Sequence, residues 1–138
     1  MTFPAVKALT IRQPWAWAVV YAGKNVENRR WQTSYRGPLL IHAAKEDDPA
    51  GVAGVLWTMA EPGAFGQPKA GFEARGAIIG LAYLEDILID SPSPWARARR
   101  YHWKLEFPVP IDPPVPCLGK PGLWSPPVEA ARAAADLL

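Results

Sequence analysis

The sequence contains very little cysteine and histidine and no long apolar run. Its one cysteine, Cys117, cannot form a disulfide within the chain, which suits a reducing compartment. The two histidines, His42 and His102, stand far apart without further ligands at zinc-site spacing, so neither a metal nor a cofactor is predicted. No apolar run approaches the ~20 residues of a membrane span, and Lys7 and Arg12 interrupt the start, where a signal peptide would be apolar. We therefore expect a cytoplasmic protein without membrane association.

Proline and charge are abundant but unevenly distributed. Of the 16 prolines, ten stand from Pro92 onward, and they argue against long helices in the last third of the chain, because proline lacks the N–H of a helical hydrogen bond. Residues 1–45 hold seven Lys and Arg and one acid, whereas residues 46–138 hold eight Lys and Arg and twelve acids. The net charge of +2 therefore conceals a basic N-terminal third, which favours a polyanionic partner.

The length of 138 residues, without an internal repeat or an interdomain linker, predicts one domain over residues 1–138. Strands are predicted at 6–12, 25–31, 38–44, 77–90 and 100–107, and helices at 15–22, at 46–60 and after Ser125, which would cap the last of them. Residues 61–76 are predicted to form a loop, and the proline-rich residues 108–116 to be extended at a sheet edge. Several short strands and few helices indicate an α+β fold, a small mixed or antiparallel β-barrel with peripheral helices.

Two of the predicted elements show a clear periodicity. In the first helix, one face is formed by Trp15, Ala18, Val19 and Ala22. In the strand at 100–107, alternation places Tyr101, Trp103, Leu105 and Phe107 on one face and His102, Lys104 and Glu106 on the other. Trp103 is therefore predicted to point into the core.

The stretch GKNVENRRW, residues 23–31, concentrates charge on a predicted strand. Alternation places Glu27, Arg29 and Trp31 on one face, and Val26, Asn28 and Arg30 on the other. A carboxylate two residues from an arginine on the same face can orient its guanidinium group toward a phosphate or a base edge. The alternative is a solvated surface ion pair, which contributes about 0–1 kcal/mol and has no function. The residues alone leave both readings open.

Tryptophan adds a second indication of nucleic-acid binding. Trp15, Trp17, Trp31, Trp95 and Trp103 all lie within a few residues of a cation, and bases stack on aromatic rings while Lys and Arg hold the backbone. Most tryptophans belong to protein cores, so we expect about two at a binding surface: Trp95, together with Trp15 or Trp31, which border loops or turns. His42 is predicted to be a hydrogen-bonded core histidine, or to line a pocket at its strand end.

Several segments together resemble the ASCH domain, a member of the PUA-like superfamily. They are ALTIRQPWAWAVVYAGKNVENRRW, YRGPLLIHAAK, GAIIGLAYLEDIL, SPW and YHWKLEF with PVPCLGKPGLW, within residues 8–124. The family signature, Gly-x-Lys-x-x-Glu-x-Arg, is matched at Lys24, Glu27 and Arg29, whereas Ala22 replaces its glycine. The resemblance implies a small β-barrel with a cleft beside the signature strand. It also implies RNA binding, reading of modified bases or a coactivator partner.

Some ASCH-like proteins hydrolyse acylated cytidine nucleosides, and ribonuclease activity is ascribed to others. The amidohydrolases pair the signature lysine with a threonine three residues later, a place that Glu27 occupies here. We therefore predict a reader of RNA, single-stranded nucleic acid or a nucleotide, with a binding site formed by Arg12, Trp15, Lys24, Glu27, Asn28, Arg29, Arg30, Trp31, His42 and Trp95. The alternative is a hydrolase of acylated cytidine nucleosides or RNA with Lys24 and Glu27 as its catalytic pair. A protein-binding module is the third possibility.

Overall fold

The computed structural model describes residues 6–59 and 71–138, including all of their side chains except those of 56–59. Within these residues the strands are β1 (Lys7–Gln13), β2 (Val26–Arg29), β3 (Gly37–Asp47), β4 (Ala77–Leu88), β5 (Tyr101–Pro116) and β6 (Leu123–Trp124). The helices in the same residues are α1 (Trp15–Tyr21), α2 (Gly51–Met59) and α3 (Val128–Asp136). None of these helices is long and apolar enough to cross a membrane.

The described strands form one mixed sheet in the order β2-β5-β4-β3-β1-β6. β1 and β3 run parallel, because α1 and β2 connect them and return the chain to the end of the sheet where β1 begins. All other neighbouring strands are antiparallel. The sheet curls into a half-barrel with the helices around it, which confirms the predicted α+β, barrel-like fold. This arrangement brings β2 close to β1, since Arg29 donates to the carbonyl of Thr10 at 2.9 Å.

The five predicted strands are all present, although their ends differ. β5 continues to Pro116 and so includes the proline-rich residues 108–116. These residues pair only with β4 among the described strands, since β2 covers residues 101–104 alone, and this confirms that they lie at an edge. β6 was not predicted, because two residues are too few to show a period. Of the predicted loop, residues 61–70 lie outside the described residues, and residues 71–76 form turns and bends.

α1 is buried on almost all of its surface, whereas the sequence predicted a single apolar face. Residues 16–20 are all buried, because the helix lies between the sheet and a smaller apolar cluster around Trp17, Val55 and Trp95. The amide of Gln13 supports its start by accepting the backbone N–H of Trp17 at 2.9 Å. At its end Gly23 has a φ of +74°, the left-handed conformation that glycine adopts without strain. This turn sends Lys24 back across the helix end toward β2.

The predicted inward face of β5 is wrong at Phe107. Trp103 and Leu105 are buried as predicted, but Phe107 is 75% exposed and has a φ of +52°. The cause is a β-bulge: Glu106 pairs with Tyr83 and Val109 with Leu81, so β5 has one more residue than β4 between these pairs. Alternation cannot reveal a bulge, because it assumes an unbroken period of two.

Two predicted helix starts are also wrong. Residues 46 and 47 belong to β3, and α2 begins only at Gly51, after the Asp48 carboxylate has accepted the Ala50 N–H at 3.1 Å. Ser125 does not cap α3 but accepts a hydrogen bond from Lys7 Nζ at 2.9 Å. The helix begins after Pro127, because Pro127 keeps the preceding residue, Pro126, in an extended conformation.

Candidate functional site

A cleft of about 320 Å³ opens where α1, β2 and the loop that carries Trp95 meet. Its walls combine aromatic rings with both signs of charge. The lining residues are Thr10, Ile11, Arg12, Trp15, Lys24, Glu27, Asn28, Arg29, Asp48, Trp95 and Arg97. Seven of the ten predicted site residues are therefore brought together, although they come from three separate parts of the chain, residues 12–15, residues 24–29 and Trp95.

The centre of the cleft is a hydrogen-bonded cluster of Lys24, Glu27 and Arg29. Lys24 Nζ donates to Glu27 Oε1 at 2.8 Å and to the carbonyl of Val26 at 2.8 Å. An Arg29 terminal nitrogen donates to Glu27 Oε2 at 2.9 Å. Lys24 is 4% and Glu27 7% exposed, so the reading of a solvated surface ion pair is wrong for these residues. Glu27 orients Arg29, as alternation along β2 predicts.

Burial and mutual attraction set the charge of this cluster. Burial raises the pKa of the Glu27 carboxyl, but Lys24 and Arg29 outweigh it and hold that pKa below its ordinary value. Burial lowers the pKa of the Lys24 ammonium, against the opposing pull of Glu27. With both groups ionised, two cations face one carboxylate, so an excess positive charge remains. Arg29 Nε is buried and has no hydrogen-bond partner among the described residues. The cluster is therefore suited to an anionic ligand.

Trp15 forms a wall of the cleft and is fixed on several sides. Its indole N–H donates to Asp48 Oδ2 at 2.8 Å, and this bond holds the pKa of Asp48 below its ordinary value. The Lys24 ammonium lies 5.6 Å from the Trp15 ring centroid, within the range of a cation–π interaction. The Trp95 ring meets Trp15 edge to face at 6.5 Å. A Cβ at Gly54 would lie 2.7 Å from Trp15, so α2 approaches the ring as only glycine allows.

Asn28 lines the cleft, but its side chain is committed to the loop over residues 91–97. The amide nitrogen donates to the Trp95 carbonyl at 3.0 Å, and the amide oxygen accepts the Arg97 N–H at 2.8 Å. His102, on the neighbouring strand β5, also holds this loop. Its Nδ1 accepts the Ser91 N–H at 3.1 Å, and its Nε2 lies 2.7 Å from the Arg97 carbonyl. Asn28 thus positions Trp95 and Arg97.

Three predicted site residues do not line the cleft. Arg30 follows the end of β2 and is exposed outside it. Trp31 and His42 line a second cavity next to the cleft. His42 is 2% exposed, with Nε2 2.8 Å from the Cys117 carbonyl and Nδ1 3.2 Å from Thr10 Oγ1, so it is a hydrogen-bonded core histidine that also lines a cavity. Arg12 does line the cleft, 3.9 Å from the Asp48 carboxylate.

Three further residues were not predicted from the sequence: Asp48 and Arg97, which line the cleft, and His102, which supports its loop. Arg97 follows Trp95 by two residues, so the proximity of tryptophan and cation was a sequence signal for it. Asp48 and His102 have no local signal, because their roles depend on contacts with distant parts of the chain. No group of three or more His, Cys, Asp or Glu that could hold a metal is found in residues 6–59 and 71–138.

The described strands therefore form a curled half-barrel with a charged cleft beside β2. The chain belongs to the ASCH domain family, whose profile matches residues 9–112. Among solved structures, a mutant form of ZmASCH from Zymomonas mobilis aligns with a TM-score of 0.56 at 15% identity, covering 96% of this chain and 98% of that one. None of the curated proteins compared with this chain matches it.

Proposed function

We propose that this protein binds RNA or another single-stranded nucleic acid, and holds one of its nucleotides, or a modified base, in the cleft. The observation that carries the proposal is the buried cluster of Lys24, Glu27 and Arg29 beside the fixed ring of Trp15. The cluster supplies excess positive charge, and the ring supplies a stacking surface. A nucleotide needs both, because it joins a planar base to a phosphate.

The size of the cleft supports a small ligand. Ligand cavities range from about 300 to 1,000 Å³, and the cleft, at about 320 Å³, is near the lower end. Such a volume suits a single extruded base and excludes a duplex. Stacking on one aromatic side chain contributes about 1–3 kcal/mol per base. Trp15 is the partly exposed ring of the cleft, whereas Trp95 is buried behind it, so stacking is assigned to Trp15.

The rim of the cleft supports contact with the phosphate backbone. Arg12 and Arg97 are exposed at the rim, and Arg97 forms no ion pair with a described residue. Cations that neutralise phosphates release counterions, so affinity falls as salt rises. The protein therefore needs no sequence-specific contact to bind a single strand.

The test is a titration of a short single-stranded RNA, and of the matching DNA, at salt concentrations from about 50 to 200 mM. We expect affinity to fall steadily with salt, and the slope to become shallower in Arg97→Gln. Arg132→Gln is the matched control, because Arg132 is exposed on α3, outside the cleft. Absence of binding at the lowest salt, or binding that is insensitive to salt, would remove the basis of the proposal.

A hydrolase of acylated cytidine nucleosides or of RNA is the second candidate. It is favoured by the 2.8 Å contact between Lys24 Nζ and Glu27 Oε1, together with the lowered pKa of Lys24, since such a pair can exchange a proton with a substrate. The lack of an available hydroxyl nucleophile counts against a hydrolase. Among the described residues that line the cleft, Thr10 alone has a hydroxyl, and that hydroxyl already contacts His42 and Trp124.

Glu27→Gln separates the two candidates, because glutamine keeps the shape of the side chain but accepts no proton. Wild type and the folded variant are incubated with an N-acylated cytidine and with single-stranded RNA while product and binding are both followed. The binding proposal expects no product from either protein. Product that wild type forms and the variant does not form would establish the hydrolase instead.

A further inference from the structure

A second cavity adjoins the cleft at Arg29. Its volume is about 580 Å³, and Thr10 and Arg29 line both spaces. Its remaining walls include the end of β3 with Lys45, and the loop over residues 117–122, which connects β5 to β6 and carries Lys120. Arg29 thus stands between two neighbouring spaces rather than at the end of one.

The two spaces differ in charge. The cleft contains the carboxylates of Glu27 and Asp48, whereas no carboxylate is among the described residues that line the second cavity. Lys45 and Lys120 are exposed, and neither forms an ion pair with a described residue. Both ammonium groups are therefore available to an anion, and the second cavity is the more attractive of the two for phosphate.

The floor of the second cavity is rigid. A Cβ at Gly119 would lie 2.7 Å from both His42 Cε1 and Thr10 Oγ1, so the loop rests directly on these two side chains. They cannot easily give way, because His42 is bonded at both ring nitrogens and the Thr10 hydroxyl also accepts from the Trp124 indole at 3.0 Å. The Trp31 ring, packed edge to face on Trp103 at 4.7 Å, adds an aromatic surface.

From this geometry we infer that the second cavity binds the next nucleotide of the same strand. The inference rests on the proposed function and specifies its ligand, a single strand of at least two nucleotides rather than a free nucleoside. One nucleotide occupies the cleft, its neighbour in the strand lies against Trp31, and Lys45 and Lys120 contact the phosphate of that neighbour that does not join the two nucleotides. Arg29, which lines both spaces, lies at the phosphate that joins the two.

The experiment compares 5′-mononucleotides with the corresponding 5′-phosphorylated dinucleotides, using the four homopolymeric pairs from pA and pApA to pU and pUpU. The measured quantity, for each protein, is the dissociation constant of the mononucleotide divided by that of the dinucleotide. For wild type we expect at least one dinucleotide to bind about tenfold more tightly than its mononucleotide, which is the gain typical of one stacked base. In the Lys45→Gln/Lys120→Gln double variant the ratio should fall to about twofold or less. Arg132→Gln, which removes a charge elsewhere, should keep the wild-type ratio.

Three outcomes overturn the inference. If mononucleotides bind but dinucleotides bind no better, the second cavity takes no nucleotide, and the proposed function stands. If the double variant keeps the gain, or Arg132→Gln also loses it, the gain does not come from this cavity. If neither ligand binds at all, the proposed function fails together with the inference.

Discussion

Glu27 uses both of its carboxylate oxygens to neutralise two cations inside the protein. Replacing it with glutamine would leave Lys24 and Arg29 facing each other with no counter-charge. Removal of one partner from a buried ion pair costs about 3–5 kcal/mol, because the remaining charge is uncompensated. We expect Glu27→Gln to lower the free energy of unfolding by about this amount in urea denaturation.

The stability loss of Lys24→Met is to be compared with that of Glu27→Gln. Lys24→Met removes one of the two cations, and Glu27 keeps its partner Arg29 at 2.9 Å. The loss should therefore be smaller, about 1–3 kcal/mol, and should come mainly from the Val26 carbonyl that loses its donor. A larger loss for Lys24→Met than for Glu27→Gln would contradict the assignment of Glu27 as the shared counter-ion.

At the scale of elements, the loop over residues 91–97 depends on strands that it does not belong to. Asn28 on β2 holds the carbonyl of Trp95 and the N–H of Arg97. Asn28→Ala breaks both bonds, so we expect faster amide hydrogen exchange in residues 91–97 and weaker nucleic-acid binding, while β3 and β4 exchange as in wild type. Gln32→Ala, at an exposed position just beyond β2, serves as the control. Unchanged exchange in the loop would mean that Asn28 does not hold it.

Elements with a regular hydrophobic period were predictable, and irregular ones were not. Strands β1, β3 and β4 lie within about three residues of their predicted ends, since their buried residues make the period clear. The bulge at Phe107 and the two-residue β6 break or fall short of that period. In the site, Lys24, Glu27 and Arg29 are neighbours in sequence and were predicted together. Asp48 depends on a contact with a residue more than 30 positions away, which no local pattern contains.

For the whole molecule, buried titratable groups predict that acid destabilises the fold. Burial lowers the pKa of His42 below its ordinary value of about 6.5, although the Cys117 carbonyl opposes this. As pH falls below about 6.5, the unfolded chain therefore takes up the proton first, and the free energy of unfolding decreases. Glu27, whose pKa is also lowered, adds a second decrease as pH falls below about 4.5 and through its folded-state pKa.

The check is urea denaturation at a series of pH values from about 8 to about 3. We expect wild type to lose stability in both ranges, and His42→Asn to be less stable overall but to lose the pH dependence near 6. A wild-type stability that is constant from pH 7 to 5 would show that His42 has an ordinary pKa in the folded protein.

The edge position of residues 109–116 bears on how the protein avoids joining other copies of itself. An unpaired strand edge exposes a row of N–H and C=O groups that a second chain can extend. Here four of the eight residues are proline, at positions 110, 113, 114 and 116, and have no N–H to offer. The bulge at Phe107 further twists the strand just before this segment. The edge is therefore a poor template for aggregation, even though the sheet remains open there.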